Sequence, residues 1–395
     1  MKAYVIGAGV SHTAGYPLGG ALFDEINRFV QGTGGDWRHG DDYSKWQEML
    51  NWLMTDDNNP LIAEAARTGR IEHLFTILDL SKRFAVETLV DCWRAYNEND
   101  EERGAKAEAA RTEFKAATSR YEECHGMLLH ALESYFNYRH YLDAGEGQSA
   151  RWETLERFGR ILQEGDMVIT FNYDSTLERV LLRQGKWSPR NGYGFDLVFQ
   201  KSQVDETPLV VDSSSITVLH LHGAIGWYNK PVFRVDPKPG SGGAVSRDAF
   251  TPAPLETHVS LDNQFLCLLG FQGADASLPV PRYEENQILL RPSFLKDYEM
   301  NGAYQNPFPG LWRKAAEGLR RADEVLVIGY SLPPDDIAAL TLFLASCDKD
   351  KVRIINPSVS DSSRLRNLLS MELHFEQPLS FDDWLASASD HTDQR

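Results

Sequence analysis

Apolar residues in this chain cluster in short unbroken runs. Runs at Ala3 to Ile6, Met167 to Phe171, Val218 to Leu221, Glu324 to Ile328 and Val352 to Ile355 each end at a polar or glycine-containing turn. A strand buried on both faces has no polar side to show, so it reads as a continuous apolar run, and such strands belong to parallel sheets covered by helices. Between the first two runs the period changes. Phe114, Tyr121, Leu128, Leu129, Leu132 and Tyr135 recur at near-helical spacing, and residues 100–119 are rich in Ala, Glu, Lys and Arg. This stretch exceeds what a crossover between two strands requires and predicts an inserted helical module over 32–165. A second insertion, 230–291, carries "DPKPGSGG" and many prolines, and reads as mostly loop with a short apolar element at Phe265 to Leu269.

The fold class this predicts is α/β: a Rossmann-like parallel sheet flanked by helices, with a discontinuous core of 1–31 and 166–395 and a large helical insertion. Ligands of open α/β sheets bind at the carboxyl ends of the strands, where separate loops converge. The ends of these runs are therefore where chemistry is sought. The first enters "GAGVSHTAGYPLGG". A strand that turns into a helix through small residues points backbone N–H groups and the positive end of the helix dipole at a phosphate, which is the functional reading of Gly7, Ala8 and Gly9. A tight turn without a ligand is the structural one. The ordinary dinucleotide fingerprint would place a third glycine at position 12, where His12 stands instead.

The second run ends in "VITFNYDSTLERVL", which sets Asn172 and Asp174 beside the start of a helix. An amide and a carboxylate there suit a site, and equally an Asx turn and a helix cap. The third ends in "VLHLHGAIGW". Either histidine reads as a satisfied core residue, but His222 is the better chemical candidate, because imidazole accepts a proton near neutral pH and Gly223 leaves room beside it. "EVLVIGYSLPPDD" delivers Gly329 and Ser331 to a loop, and "VRIINPS" delivers Asn356, with turn formation as the plain alternative for each.

Charge and cysteine content narrow the classes. The 395 residues carry 40 Lys+Arg against 57 Asp+Glu, a net charge of -17, which opposes a broad charge-driven hold on nucleic acid or anionic lipid. Cys92, Cys124, Cys267 and Cys347 lie far apart with no CxxC pair, so neither a disulfide framework nor a zinc site is expected. No signal-peptide pattern and no bilayer-length apolar run is present, and the expected home is the reducing cytoplasm, away from membranes.

Taken together, "GAGVSHTAGYP", "TFNYD", "LHLHG", "GYSL" and "IINP" occur in the order and context of the sirtuin (Sir2-like) family. The resemblance covers the sheet core and leaves out the insertions. More closely, "RPSFLKDY", "LWRKAAEGLRRADEVLVIGYSLPPDD" and the absence of zinc cysteines resemble the zinc-free bacterial sirtuin-like proteins associated with phage defence. The resemblance implies NAD in the crevice. Gly7, Ala8, Gly9 and Ser11 would surround its phosphates and nicotinamide ribose, Gly329 and Ser331 the phosphates, and Asn356 the adenosine ribose. Asn172 and Asp174 match the amide and acid of the central motif, and His222 its catalytic histidine.

Departures from the family pattern select the reaction. Only Cys267 stands where zinc-containing sirtuins carry two cysteine pairs, so no zinc module and no zinc is expected. Leu18-Gly19-Gly20 replace the familiar phenylalanine-arginine pair, and Phe171 replaces the usual glutamine before the central asparagine. The resemblance then implies NAD hydrolysis to nicotinamide and ADP-ribose, with a cyclic product left open, in place of protein deacylation. Asn172 would orient the ribose and water, Asp174 would hold the leaving carboxamide or fix the loop, and His222 would accept a proton. The alternatives are a deacylase, a dehydrogenase, against which the failed fingerprint argues, and a non-enzymatic NAD-sensing module. Partners implied are further copies of the chain, with contacts from the helical insertion, and a HerA/FtsK-type ATPase, as befits a regulated effector.

Overall fold

In the computed structural model the apolar runs become strands. Residues 1–32, 40–55, 60–69, 71–81, 119–132, 134–136, 149–188, 191–195, 198–199, 214–229, 265–267, 287–289, 308–333, 336–358 and 379–390 are described, with a few single positions besides. The strands among them are β1 (Lys2–Ile6), β2 (Met167–Thr170), β3 (Val198–Phe199), β4 (Thr217–His220), β5 (Gly223–Asn229), β6 (Phe265–Cys267), β7 (Gln287–Leu289), β8 (Glu324–Ile328) and β9 (Val352–Ile355). Five of them form one sheet in the order β4-β2-β1-β8-β9, every pair parallel. Each lies within a residue or two of an apolar run. Phe171, the last residue of the second run, lies just past β2, yet its N–H still donates to Ile6 O at 3.3 Å.

Helices cover both faces of this sheet. Tyr4 of β1 meets Phe158 edge-on at 5.5 Å, and Phe158 in turn meets Phe381 at 5.4 Å, so the helices Ser149–Ile161 and Phe381–Asp390 lie over that face. Ala3 points the other way and stands in register with Met167. A Cβ on Gly318 would sit 2.4 Å from Met167 Sδ, which puts the helix Phe308–Arg321 hard against the opposite face. With both faces covered, Val5, Val168, Ile169, Val218 and Val327 have no exposed surface, as their unbroken apolar sequence requires. The resulting architecture is α/β and Rossmann-like.

β3, β6, β5 and β7 form a second, four-stranded sheet in that order, with β5 antiparallel to β6 and β7. The 230–291 segment was expected to be mostly loop; two short stretches of it, β6 and β7, are strands paired to β5, and most of the rest lies outside the described residues. The chain passes from one sheet to the other through Leu221 and His222, turning at Gly223 with φ +79°.

The chain divides into two compact units: Met1–Ala14, His140–Leu289 and Tyr298–Arg395 in one, Gly15–Arg139 and Leu290–Asp297 in the other. These boundaries differ from the expected insertion over 32–165. The helix Leu22–Gly32 belongs to the second unit because Phe29 packs on Tyr135 and Asn27 Oδ1 accepts from Trp46 Nε1. The helix Ser149–Ile161 belongs to the first because Phe158 packs on β1. The second unit is helical where described, with helices Gly40–Met54 and Pro60–Arg67 and helical residues 71–81 and 119–132. Part of its apolar stripe meets residues of the same unit. Tyr121 meets Trp52 at 5.8 Å and Tyr135 meets Phe29, both within the unit, and Leu128 is buried; Phe114 lies outside the described residues. Among the described residues no helix is long and apolar enough to cross a membrane.

Candidate functional site

The candidate site residues lie past the carboxyl ends of strands in the five-stranded sheet: Gly7, Ala8, Gly9 and Ser11 after β1, Asn172 and Asp174 after β2, His222 after β4, Gly329 and Ser331 after β8, and Asn356 after β9. β1 lies in the centre, with β2 on one side and β8 on the other, so the exits of β2, β1 and β8 are adjacent.

The first glycines are explained by a neighbour within the chain. A Cβ on Gly7 would lie 2.7 Å from Tyr330 Cα, and one on Gly9 would lie 2.8 Å from Gly329 Cα. Gly7 N donates to Ile328 O at 3.1 Å and Gly9 N to Gly329 O at 3.0 Å. Two of the three amides that the sequence offered to a phosphate, those of Gly7 and Gly9, are thus turned to the exit of β8. Gly329 itself has φ +57°, and Leu332 three residues on has φ +46°, a left-handed conformation that costs a residue with a Cβ about 1–2 kcal/mol. Such strain is held in place by the burial of the Leu332 side chain.

Asn172 is held by the β1 exit. Its Nδ2 donates to Gly7 O and to Ser11 Oγ, each at 3.0 Å. A backbone carbonyl can only accept, so the orientation of the carboxamide is fixed by Gly7. With both amide hydrogens committed, Oδ1 is the atom Asn172 has to offer. Ser11 Oγ donates its own hydrogen bond to Asp174 Oδ2 at 2.7 Å. Asp174 Oδ1 accepts from Thr176 N at 3.1 Å and from the Thr176 hydroxyl. Both oxygens of Asp174 therefore bind the protein. Of the two roles expected for it, the geometry matches fixing the loop rather than holding a leaving group. Burial pushes the Asp174 carboxyl above its ordinary range, and the hydrogen bonds from Thr176 and Ser11 offset this only in part.

The two histidines of "LHLHG" separate cleanly. His220, 1% exposed, sends Nδ1 to Asn172 O at 2.9 Å and Nε2 to Glu178 Oε1. The carbonyl requires a hydrogen on Nδ1. Burial alone would lower the His220 pKa, but the Glu178 carboxylate and the Asn172 carbonyl outweigh it, and the net direction is up. His220 is thus a buried support for the backbone that carries Asn172. A cavity of about 10 Å³, roughly one water in size, lies among Ser11, Asn172, Asp174, Glu178 and His220.

His222 faces an aromatic wall. Its ring meets Phe171 edge-on at 5.0 Å and Tyr173 at 6.2 Å, so both neighbours of Asn172 touch it. Phe171 stacks on Tyr330 at 4.3 Å, with planes 4° apart. Trp312 Nε1 donates to Leu221 O at 3.2 Å and ties down the backbone just before His222. His222 Nε2 lies 3.0 Å from Asp336 Oδ2. Asp336 escaped the sequence reading, although an aspartate before "IAALTLFLAS" is a helix-start signal.

Ser331 is half-buried in the β8 exit loop, and Asn356 Oδ1 accepts from Ser358 N at 2.9 Å. β9 is the edge strand, three strands from β2, so Asn356 lies about 14 Å across the sheet from the Asn172 region. Among the described residues no cluster of three or more His, Cys, Asp or Glu is placed to hold a metal ion. The arrangement offers a fixed amide oxygen and an imidazole beside a shared aromatic wall, an arrangement suited to orienting a hydroxyl or water and taking its proton. Compared with family models and with curated proteins, the chain finds a match among neither.

Proposed function

We propose that this chain is an NAD hydrolase of the sirtuin-like, zinc-free bacterial kind, cleaving NAD to nicotinamide and ADP-ribose. The observation that carries the reading is an acceptor and a base at neighbouring strand exits: Asn172, committed through Nδ2, and His222, in ring contact with both residues that flank Asn172. Cleavage moves the electron pair of the ribose–nicotinamide bond onto the ring nitrogen and builds positive charge on the sugar. Asn172 Oδ1 accepts a hydrogen bond from a ribose hydroxyl or the attacking water and orients it. Water oxygen bonds to the anomeric carbon, and its proton passes to His222, help of a kind worth about 100 to 10,000-fold in rate. Oxidised nicotinamide is already a cationic leaving group, so the step uses no zinc. On this reading the phosphates run over Ala8 and past Ser331, along turns that Gly7, Gly9 and Gly329 shape with amides bonded within the chain, and the adenosine ribose reaches Asn356. Asp174 holds Ser11, and through it Asn172. The setting is a bacterial cytoplasm, where anti-phage activity stays silent until the chain assembles with itself or with a HerA/FtsK-type ATPase.

The test is to incubate the purified chain with NAD, alone and with such an ATPase, and to separate the products. Equal amounts of nicotinamide and ADP-ribose are expected without any acylated peptide. Asn172→Ala should lower turnover about 100 to 1,000-fold and His222→Ala about 100 to 10,000-fold. Wild-type rates from both folded variants defeat the reading. The burial of His222, 6% exposed, favours one second reading, an NAD-sensing module. Its signature is calorimetric NAD binding with no product in any assembled state.

A further inference from the structure

Both carboxylate oxygens of Asp336 are engaged. Oδ1 accepts from Ala339 N at 3.2 Å and caps the helix Ile337–Ser346. Oδ2 accepts from Tyr330 OH at 3.3 Å and faces His222 Nε2 at 3.0 Å. The residue is 4% exposed and His222 6%. A carboxylate has no hydrogen to give, so Nε2 must carry one, and the lone pair of the neutral ring then lies on Nδ1. Tyr330 and His222 also both touch Phe171, one stacked and one edge-on, so the carboxylate closes a ring of contacts around the imidazole.

We propose that Asp336 is the positioning residue of His222: from the cap of the helix Ile337–Ser346 it holds the imidazole in one orientation and one tautomer, so that Nδ1 is the proton acceptor. The proposal rests on the reading of His222 as the base. A carboxylate that orients a catalytic imidazole contributes through the tautomer, and replacing such a carboxylate by an amide costs about 10,000-fold in kcat in serine proteases. The competing role is that of a cap alone. Capping is served about equally by Asp, Asn and Ser. Ser is too short to reach His222. Asn has one oxygen for two tasks, and if that oxygen keeps the cap, its amide hydrogens meet Nε2 and favour the Nδ1–H tautomer.

The experiment compares full-length wild type, Asp336→Asn, Asp336→Ser and His222→Ala. Imidazole nitrogen NMR on histidine-labelled protein, with the His222 signal assigned from its loss in His222→Ala, reports the tautomer without any turnover. NAD kinetics report kcat and KM, and thermal unfolding reports the cap. The expected result is an Nε2–H signature in wild type, lost in both Asp336 variants. It comes with a kcat lower by about 100 to 10,000-fold, a KM changed less than about threefold, and a melting temperature within a few degrees of wild type. An unchanged tautomer in both variants, or a changed one with wild-type kcat, overturns the positioning role while His222→Ala remains inactive. Wild-type turnover in His222→Ala overturns the reading of His222 itself, and the proposal with it.

Discussion

Replacing Gly9 by alanine separates two explanations of the opening glycines. In the structure the added Cβ would lie 2.8 Å from Gly329 Cα, 2.9 Å from its O and 3.3 Å from its carbonyl carbon. Ordinary carbon contacts are about 3.5–4.0 Å, so the exits of β1 and β8 must part by several tenths of an ångström or more. All three atoms are backbone, and no rotamer change can relieve the contact. Overpacking of this kind costs about 1–3 kcal/mol. Parting the exits also weakens the Gly9 N to Gly329 O hydrogen bond, worth about 0.5–1.5 kcal/mol. Alanine returns about 1 kcal/mol through its better helix propensity. The net expectation is a loss of about 0.5–3.5 kcal/mol, read by urea unfolding followed by circular dichroism. Gly20→Ala is the control, because nothing lies within 4 Å of its Cβ, and it should stay within about 0.5 kcal/mol of wild type. If Gly9→Ala keeps wild-type stability while losing NAD binding, the glycine serves a ligand and the packing argument fails.

Three further outcomes follow from the buried network. The raised pKa of His220 means that its pairing with Glu178 stabilises the fold fully below about 6.5 and less as pH rises through the folded-state value; Glu178→Gln should flatten that decline in pH-dependent unfolding. Asp174 is also raised, so the folded state holds its proton more tightly than the unfolded chain, and stability falls as pH climbs from 3.8 through the folded value. Asp174→Asn should remove that acid-range slope, and an unchanged slope would reassign it. Phe171→Ala deletes the stack on Tyr330 and the edge contact to His222, and should cost about 3–5 kcal/mol by chemical denaturation together with most NAD turnover.

Legibility in the sequence followed burial. The five strands could be read because a strand covered on both faces leaves a continuous apolar run, and Val168–Ile169 and Val325–Ile328 are such runs. Of the second sheet only the apolar element at Phe265 to Leu269, which contains β6, could be read, because strands as short as Val198–Phe199 and Gln287–Leu289 carry too few residues to set a period. Glycines at 7 and 9 announced a close approach without naming the visitor, which in the fold is the backbone of Gly329 and Tyr330. The choice of His222 over His220 rested on strand alternation and a following glycine. What His222 meets, Asp336, lies too far along the chain for any local pattern to reveal, and the same holds for the chain of hydrogen bonds from Asn172 through Ser11 to Asp174. The compact units have other bounds than the expected insertion over 32–165 for a related reason. Length shows that a segment is inserted, whereas packing of Phe29 on Tyr135 and of Phe158 on Tyr4 decides which side each flanking helix joins.

The central position of β1 also dictates when the molecule can come into being. Lys2 N reaches Asp166 across a separation of 164 residues, and the amino terminus reaches Asp323 across 322. Loop closure grows only logarithmically, so the longer contact costs about 0.6 kcal/mol more than the shorter. Time is the heavier constraint. Ribosomes add about 5–20 residues per second, so β1 waits on the order of 15–60 seconds for β8 to be made. For the first half of that interval β1 offers two unpaired edges, and once β2 is made it still offers the edge meant for β8, the situation in which nascent chains lean on chaperones. The delay has a second side. Asn172 can be seated by β1 and β2 alone, but the partner of His222 arrives only with the residues after β8. A ribosome-bound or truncated fragment ending before Asp336 therefore leaves His222 without its carboxylate neighbour, and that pair forms only after the segment beyond β8 has been made.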